Sequence, residues 1–199
     1  MHTTLIDPTA AAKIEAARPK LKAGSWGGAE TVCMMSALVS GADSTDACVT
    51  AGWPKWLAEL NVSLFDTHVV AKDENAARYQ FALDVANAVQ VPRDYDKARD
   101  LFLIARLDTG EHSALKSLAL VDRDWSQQRE AIETVVALLH RRIAGEDVAA
   151  EMNAARAAAD AAAYAAADAA ADAAADAAYA AYAARAAARA DLIEAIKQS

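Results

Sequence analysis

From Asp7 to Gly145 the apolar residues fall into blocks at helical spacing, separated by Gly, Pro and capping residues. Asp7-Pro8 places a capping side chain before a proline at the first helical position. That predicts a short helix from Pro8 ending near Arg18, because Pro19 follows. Ser25-Trp26-Gly27-Gly28 reads as a turn. Ala29 to Val39 is apolar on most sides and predicts a buried helix stopped near Gly41. Ser44 caps a short helix to about Thr50. Gly52-Trp53-Pro54 opens another, with Pro54 at its first position and Trp56, Leu57, Leu60, Leu64 and Phe65 as its apolar stripe.

The second half continues the pattern. Asp73 caps a helix to about Gln90, with Tyr79, Phe81, Ala82, Val85 and Val89 facing the core, and Pro92 stops it. Asp94 starts the next, to about Leu107, carrying Leu101, Phe102, Ile104 and Ala105. Thr109-Gly110 breaks it, and Glu111 to Val121 is predicted helical. Ser126 reads as an N-cap for a helix over Gln127–Ile143 with Ile132, Val135, Val136, Leu138 and Leu139 on one side; Gly145 ends it. No segment combines a period of two with β-branched enrichment. The expected fold class is all-α: a multi-helix globular domain over 1–146, followed by one long alanine-rich C-terminal helix over 147–199 that mediates assembly.

The long helix is predicted from composition. Residues 154–190 contain 27 alanines and otherwise only Asp, Arg and Tyr. The exceptions are Arg156, Asp160, Tyr164, Asp168, Asp172, Asp176, Tyr179, Tyr182, Arg185 and Arg189. At about 100° per residue, steps of four advance this stripe by ~40° and steps of three return it by ~60°. The ten residues therefore occupy little more than half the cylinder, and the remaining face is alanine only. Alanine is the best helix former, and no Gly or Pro follows Gly145. A helix from about Asp147 to Lys197 would be ~75 Å long, against a radius of gyration of about 16 Å for a compact chain of this length. It must protrude, pair with another chain or break. A bare alanine face lets a second helix approach closely and recover dispersion contacts. A homo-oligomer formed through this helix is the expectation. Codon slippage as the origin of the tract would not change its helical propensity. Asp at every fourth position is too costly in hydrocarbon for a membrane span.

Charge narrows the partners. The net charge is −8, and none of the regions 1–92, 93–142 and 143–199 is basic overall, which argues against duplex nucleic acid. Cys33 and Cys48 form no CxxC pair and have no histidine near them in sequence, so buried free thiols are expected rather than zinc. His2, His68, His112 and His140 share no metal-ligand spacing. Asp94, Asp96 and Asp100 lack the glycine and terminal glutamate of a calcium loop and read as helix-start capping. The N-terminus has no apolar core of a secretory signal, so a cytoplasmic protein without a cofactor is expected.

No phosphate-loop, dinucleotide, zinc-protease or serine-hydrolase motif occurs. Two cation-and-aromatic clusters remain. Lys55 lies between Trp53 and Trp56 at a helix start, a combination that suits an anionic aromatic ligand if the indoles are not core. Trp125 has Arg123 and Arg129 nearby, and Arg141-Arg142 close the same helix, a second candidate for phosphate contact. In the tail, Tyr164, Tyr179 and Tyr182 with Arg185 and Arg189 form either a stacking surface or a docking edge.

Cys33-Met34, the later Cys48, and the run Trp53-Pro54-Lys55-Trp56-Leu57-Ala58-Glu59-Leu60-Asn61 resemble a loose family of uncharacterised bacterial and phage proteins. That family joins a Cys-Met helical N-terminal region to a C-terminal tract of Ala, Asp, Arg, Trp and Tyr repeats. The resemblance covers roughly residues 30–66 and 150–190. Ser36 stands where the pattern leads one to expect an acidic residue. No catalytic residue carries over. The resemblance implies a phage or prophage accessory protein, non-enzymatic, that inhibits host defence by sequestering a small nucleotide-like signal. The alternative is a helical interaction or scaffold module that binds a host protein.

Overall fold

The computed structural model describes residues 7–24, 26–28, 30–66, 74–119, 124–157 and 187–199. The fold is all-α. Its elements are α1 (Ala10–Ala17), α2 (Met34–Leu38), α3 (Thr45–Thr50), α4 (Lys55–Asp66), α5 (Glu74–Ala88), α6 (Tyr95–Ile104), α7 (Ala114–Leu118) and α8 (Ser126–Ile143). Helical residues 149–157 and 187–198 follow. No strand occurs among the described residues; Leu21 and Val32 form one isolated parallel bridge.

Several caps are those expected. Asp7 accepts from the Thr9 amide at 3.0 Å and the Thr9 hydroxyl at 2.7 Å, but α1 begins at Ala10 and not at Pro8, with Thr9 at its N-cap position. The Ser44 hydroxyl accepts from the Ala47 amide at 3.3 Å. Asp94 accepts from the amides of Asp96 and Lys97 at 3.1 and 3.0 Å. Gly145 adopts φ +91°, and the amides of Gly145 and Glu146 return to the carbonyls of Arg142 and Arg141. This is the six-to-one and five-to-two closure that a left-handed glycine permits.

Other boundaries are corrected. The helix expected over Ala29–Val39 is only Met34–Leu38. Val32 is held in the bridge, its amide donating to Lys20 and its carbonyl accepting from Lys22, both at 2.9 Å. Cys33 then caps α2 through its sulfur, 3.4 Å from the Ser36 amide. Pro54 is the cap of α4 and not its first helical residue: its carbonyl accepts from Leu57 and Ala58. The α6 helix ends at Ile104 and widens into a π-turn over Ala105–Thr109. There the Lys116 ammonium meets the carbonyls of Thr109 and Gly110 at 2.9 Å. The helix after it is short because Ser113, fully buried, caps at Ala114. Ser126 is the first residue of α8 and not its cap: Trp125 stands at the N-cap without a side-chain capping bond, and the Ser126 amide donates to Asp124 at 3.0 Å.

The chain divides into two units. Met1–Arg99 with Ala188–Ser199 form one, and Asp100–Ala187 the other. The reason lies in the last residues, which are not alanine-only. Leu192 and Ile196 are fully buried, and Ala188, Ile193 and Ala195 nearly so. In this first unit α1 packs on α2 and α5, and α4 on α2, α3 and α5. Ile14, Met34, Met35, Leu38, Leu57, Phe65, Val85 and Val89 form its fully buried interior. In the second unit Ile104, Val136 and Leu139 form one cluster and Leu138, Val148 and Ala155 another; Val135 and Met152 pack against both. The continuity of the tail helix lies outside the described residues.

Candidate functional site

The residues singled out from sequence separate into interior groups, ion-paired groups and one hollow. Trp53 is 3% exposed. Its indole belongs to the core and offers no face to a ligand. Lys55 is exposed and pairs with Glu59 one turn on, at 3.8 Å. Trp56 is half-buried. The first cluster is therefore not assembled as a site: the helix start buries one indole and turns the lysine toward a carboxylate.

The arginines at the end of α8 are also committed. Arg141 donates from Nε to Glu146 at 2.8 Å and from both terminal nitrogens to Glu151 at 3.2 Å. These bonds, Glu146 first, raise its pKa above the usual guanidinium value. Arg142 donates from Nε to Oδ2 of Asp100 at 2.6 Å and from Nη2 to Oδ1. Asp100 is 3% exposed, so this bidentate pair ties the end of α6 to α8 inside the second unit. Asp100 is thus no part of a metal loop; Asp94 caps, and Asp96 meets Arg99 at 3.5 Å.

Arg189, from the alanine tract, is buried in the first unit. Its Nε donates to the Leu64 carbonyl at 2.8 Å, and Nη2 donates to the same oxygen. The guanidinium carbon lies 5.2 Å from the centroid of Phe81. Arg78 of α5 donates to the next carbonyl, Phe65, at 3.0 Å and pairs with Glu74. Two arginines thus close the last turn of α4, where the carbonyls of a helix end lack intrahelical donors and the dipole favours cations. Burial, and then the Arg78 charge, lower the Arg189 pKa. Of the proposed tail surface, Arg189 is a docking residue. Arg123, Tyr164, Tyr179, Tyr182 and Arg185 lie outside the described residues.

One hollow, about 350 Å³, brings Trp125 and Arg129 together at the start of α8. Leu118 closes it from the end of α7, and Asp124, Ser126, Glu130 and Glu133 complete the lining. Trp125 is half-buried and Arg129 exposed. Hydrogen bonds from the Ser126 amide and hydroxyl hold the Asp124 carboxyl below its ordinary value, so it stays charged. Among the described lining residues three carboxylates face one guanidinium, a balance that repels a phosphate. Glu130 and Glu133 carry no ligand signal in sequence; only their i, i+3 spacing on α8 places them on the Arg129 side.

Both cysteines are buried free thiols. Burial raises both pKa values, that of Cys48 to about 11. No family model, no curated protein and no solved structure matches the chain. Among the described residues no helix is long and apolar enough to cross a membrane.

Proposed function

We propose that this protein is a non-enzymatic helical interaction module, cytoplasmic, whose alanine-rich tract associates with another helix. The observation that carries this is the anchoring of the tract at both ends. Ala155 packs with Leu138 and Val148 at one end. Ala188, Arg189, Leu192 and Ile196 are buried at the other. A segment fixed at both ends loses less conformational freedom when a partner binds, which lowers the cost of association. Its alanine-only face admits close helix approach. The resemblance to bacterial and phage proteins suits an accessory protein that assembles and acts on a host protein.

A second reading, capture of a small nucleotide-like ligand, is favoured by the hollow that joins Trp125 to Arg129. The pairing of Lys55, Arg141 and Arg142 with carboxylates places it second. Sedimentation and calorimetry separate the two. The interaction reading expects an oligomer at micromolar concentration, weakened when Ala166, Ala170 and Ala184, all on the bare face, become Leu; overpacking costs about 1–3 kcal/mol. A monomer whose melting is unaltered by these changes sinks it. Heat on adding a cyclic or linear nucleotide, with the fitted affinity lowered about ten-fold by Arg129→Ala and not by Lys55→Ala, promotes the second reading.

A further inference from the structure

The first unit is discontinuous. Residues 188–199 complete its core, yet residues 100–187 separate them in sequence from the rest of it. The seat is specific for this segment. It takes a guanidinium against the Leu64 carbonyl and the Phe81 ring. It then takes apolar side chains three, four and seven residues later: Leu192, Ile193 and Ile196. At the far end Arg93 donates to the Lys197 carbonyl at 2.6 Å. A foreign helix would need an arginine followed by that spacing; a second copy of this chain has it by identity.

We propose that this seat is also an intermolecular site, and that two copies of the chain exchange residues 188–199 to form a dimer. Closed and exchanged forms make the same contacts at the seat, so the balance between them is set by the connecting chain and the protein concentration. Roughly 30 residues, 158–186, make the connection, and as a helix they would reach ~45 Å. A unit of about 110 residues has a radius of gyration of about 13 Å, so reach does not prevent exchange. The connecting sequence contains no Gly or Pro, the residues that mark a reversal. This inference rests on the reading that the protein self-associates, but names a different contact from the alanine face.

The test uses full-length chains. Arg93→Cys is made on one chain and Lys197→Cys on a second, and both together on a third as control. Positions 93 and 197 lie within reach of a short bis-maleimide, and both native thiols are buried. The two single variants are mixed, unfolded in urea, refolded at tens of micromolar and cross-linked. A covalent heterodimer is expected, with about ten-fold less when the Lys197→Cys chain also carries Arg189→Ala, because charge-assisted bonds to the carbonyl are lost. Exchange is overturned if the double variant links within one chain while the mixture yields no more dimer than the Arg93→Cys chain alone. It is overturned equally if the double variant does not link. An oligomer in sedimentation without the heterodimer removes exchange and leaves the alanine face. A heterodimer insensitive to Leu at 166, 170 and 184 removes the alanine face and leaves exchange.

Discussion

Asn61 lies in the middle of α4 with no exposed surface, and neither its amide nitrogen nor its oxygen has a hydrogen-bond partner among the described residues. A buried amide left unmade costs about 1–3 kcal/mol, and an apolar side chain of similar shape removes that cost. Asn61→Leu should therefore raise stability by about that amount in urea unfolding; a fall would mean that the amide has a role in the folded state. A second buried group ties stability to alkaline pH. Burial pushes the Tyr95 phenol up to about 12 from an ordinary value of 10.0. A raised folded pKa leaves its contribution intact below pH 10. The contribution is lost between pH 10 and 12, where the unfolded chain releases a proton that the folded chain keeps. Stability should fall through that window, with Cys48, raised to about 11, adding to the slope. Tyr95→Phe should flatten the fall, as denaturation midpoints at pH 9, 10 and 11 would record. An unchanged slope would remove Tyr95 from the account.

At the scale of elements, the Asp100–Arg142 pair joins α6 to α8, and its two ends are unequal. The Asp100 side chain is 4% exposed and that of Arg142 35%. Arg142→Ala removes the guanidinium from a buried carboxylate and should cost about 3 kcal/mol. Asp100→Ala leaves a guanidinium that can still reach water, and should cost less. Equal losses in thermal unfolding would contradict the asymmetry. This pair also shows how far the sequence was legible. Asp7, Ser44, Asp94 and Gly145 act within a few residues of themselves, so local spacing is enough to place their caps. Ala29 to Val39 is apolar without a period, and such a run does not distinguish a helix from a buried extended stretch; Val32 settles into the bridge. Ser126 is drawn into the helix as its first residue, its amide donating to Asp124, with Trp125 at the N-cap. The candidate cations were visible as residues, but not their partners. Arg142 finds Asp100 across 42 residues and Arg189 finds Leu64 across 125, separations that no local pattern encodes. The hollow at Trp125 was half legible: the indole and Arg129 were named, whereas Glu130 and Glu133, which reverse its charge, were not.

The whole molecule places its last described helical segment in the unit that begins the chain. Domains generally fold as they are synthesised, the N-terminal one first. Here the order is reversed. Leu192 and Ile196 are made some hundred residues after the interior they fill, so the unit translated first is the one completed last. A released chain ending at residue 187 should expose Leu64, Phe65 and Phe81 to protease while the second unit stays resistant. The chain through residue 199 should be protected in both units. Equal protection of the first unit in the two chains would show that its core closes without the segment. Until it closes, a core missing one helix is displayed beside the ribosome, where neighbouring nascent chains of the same polysome carry the missing piece.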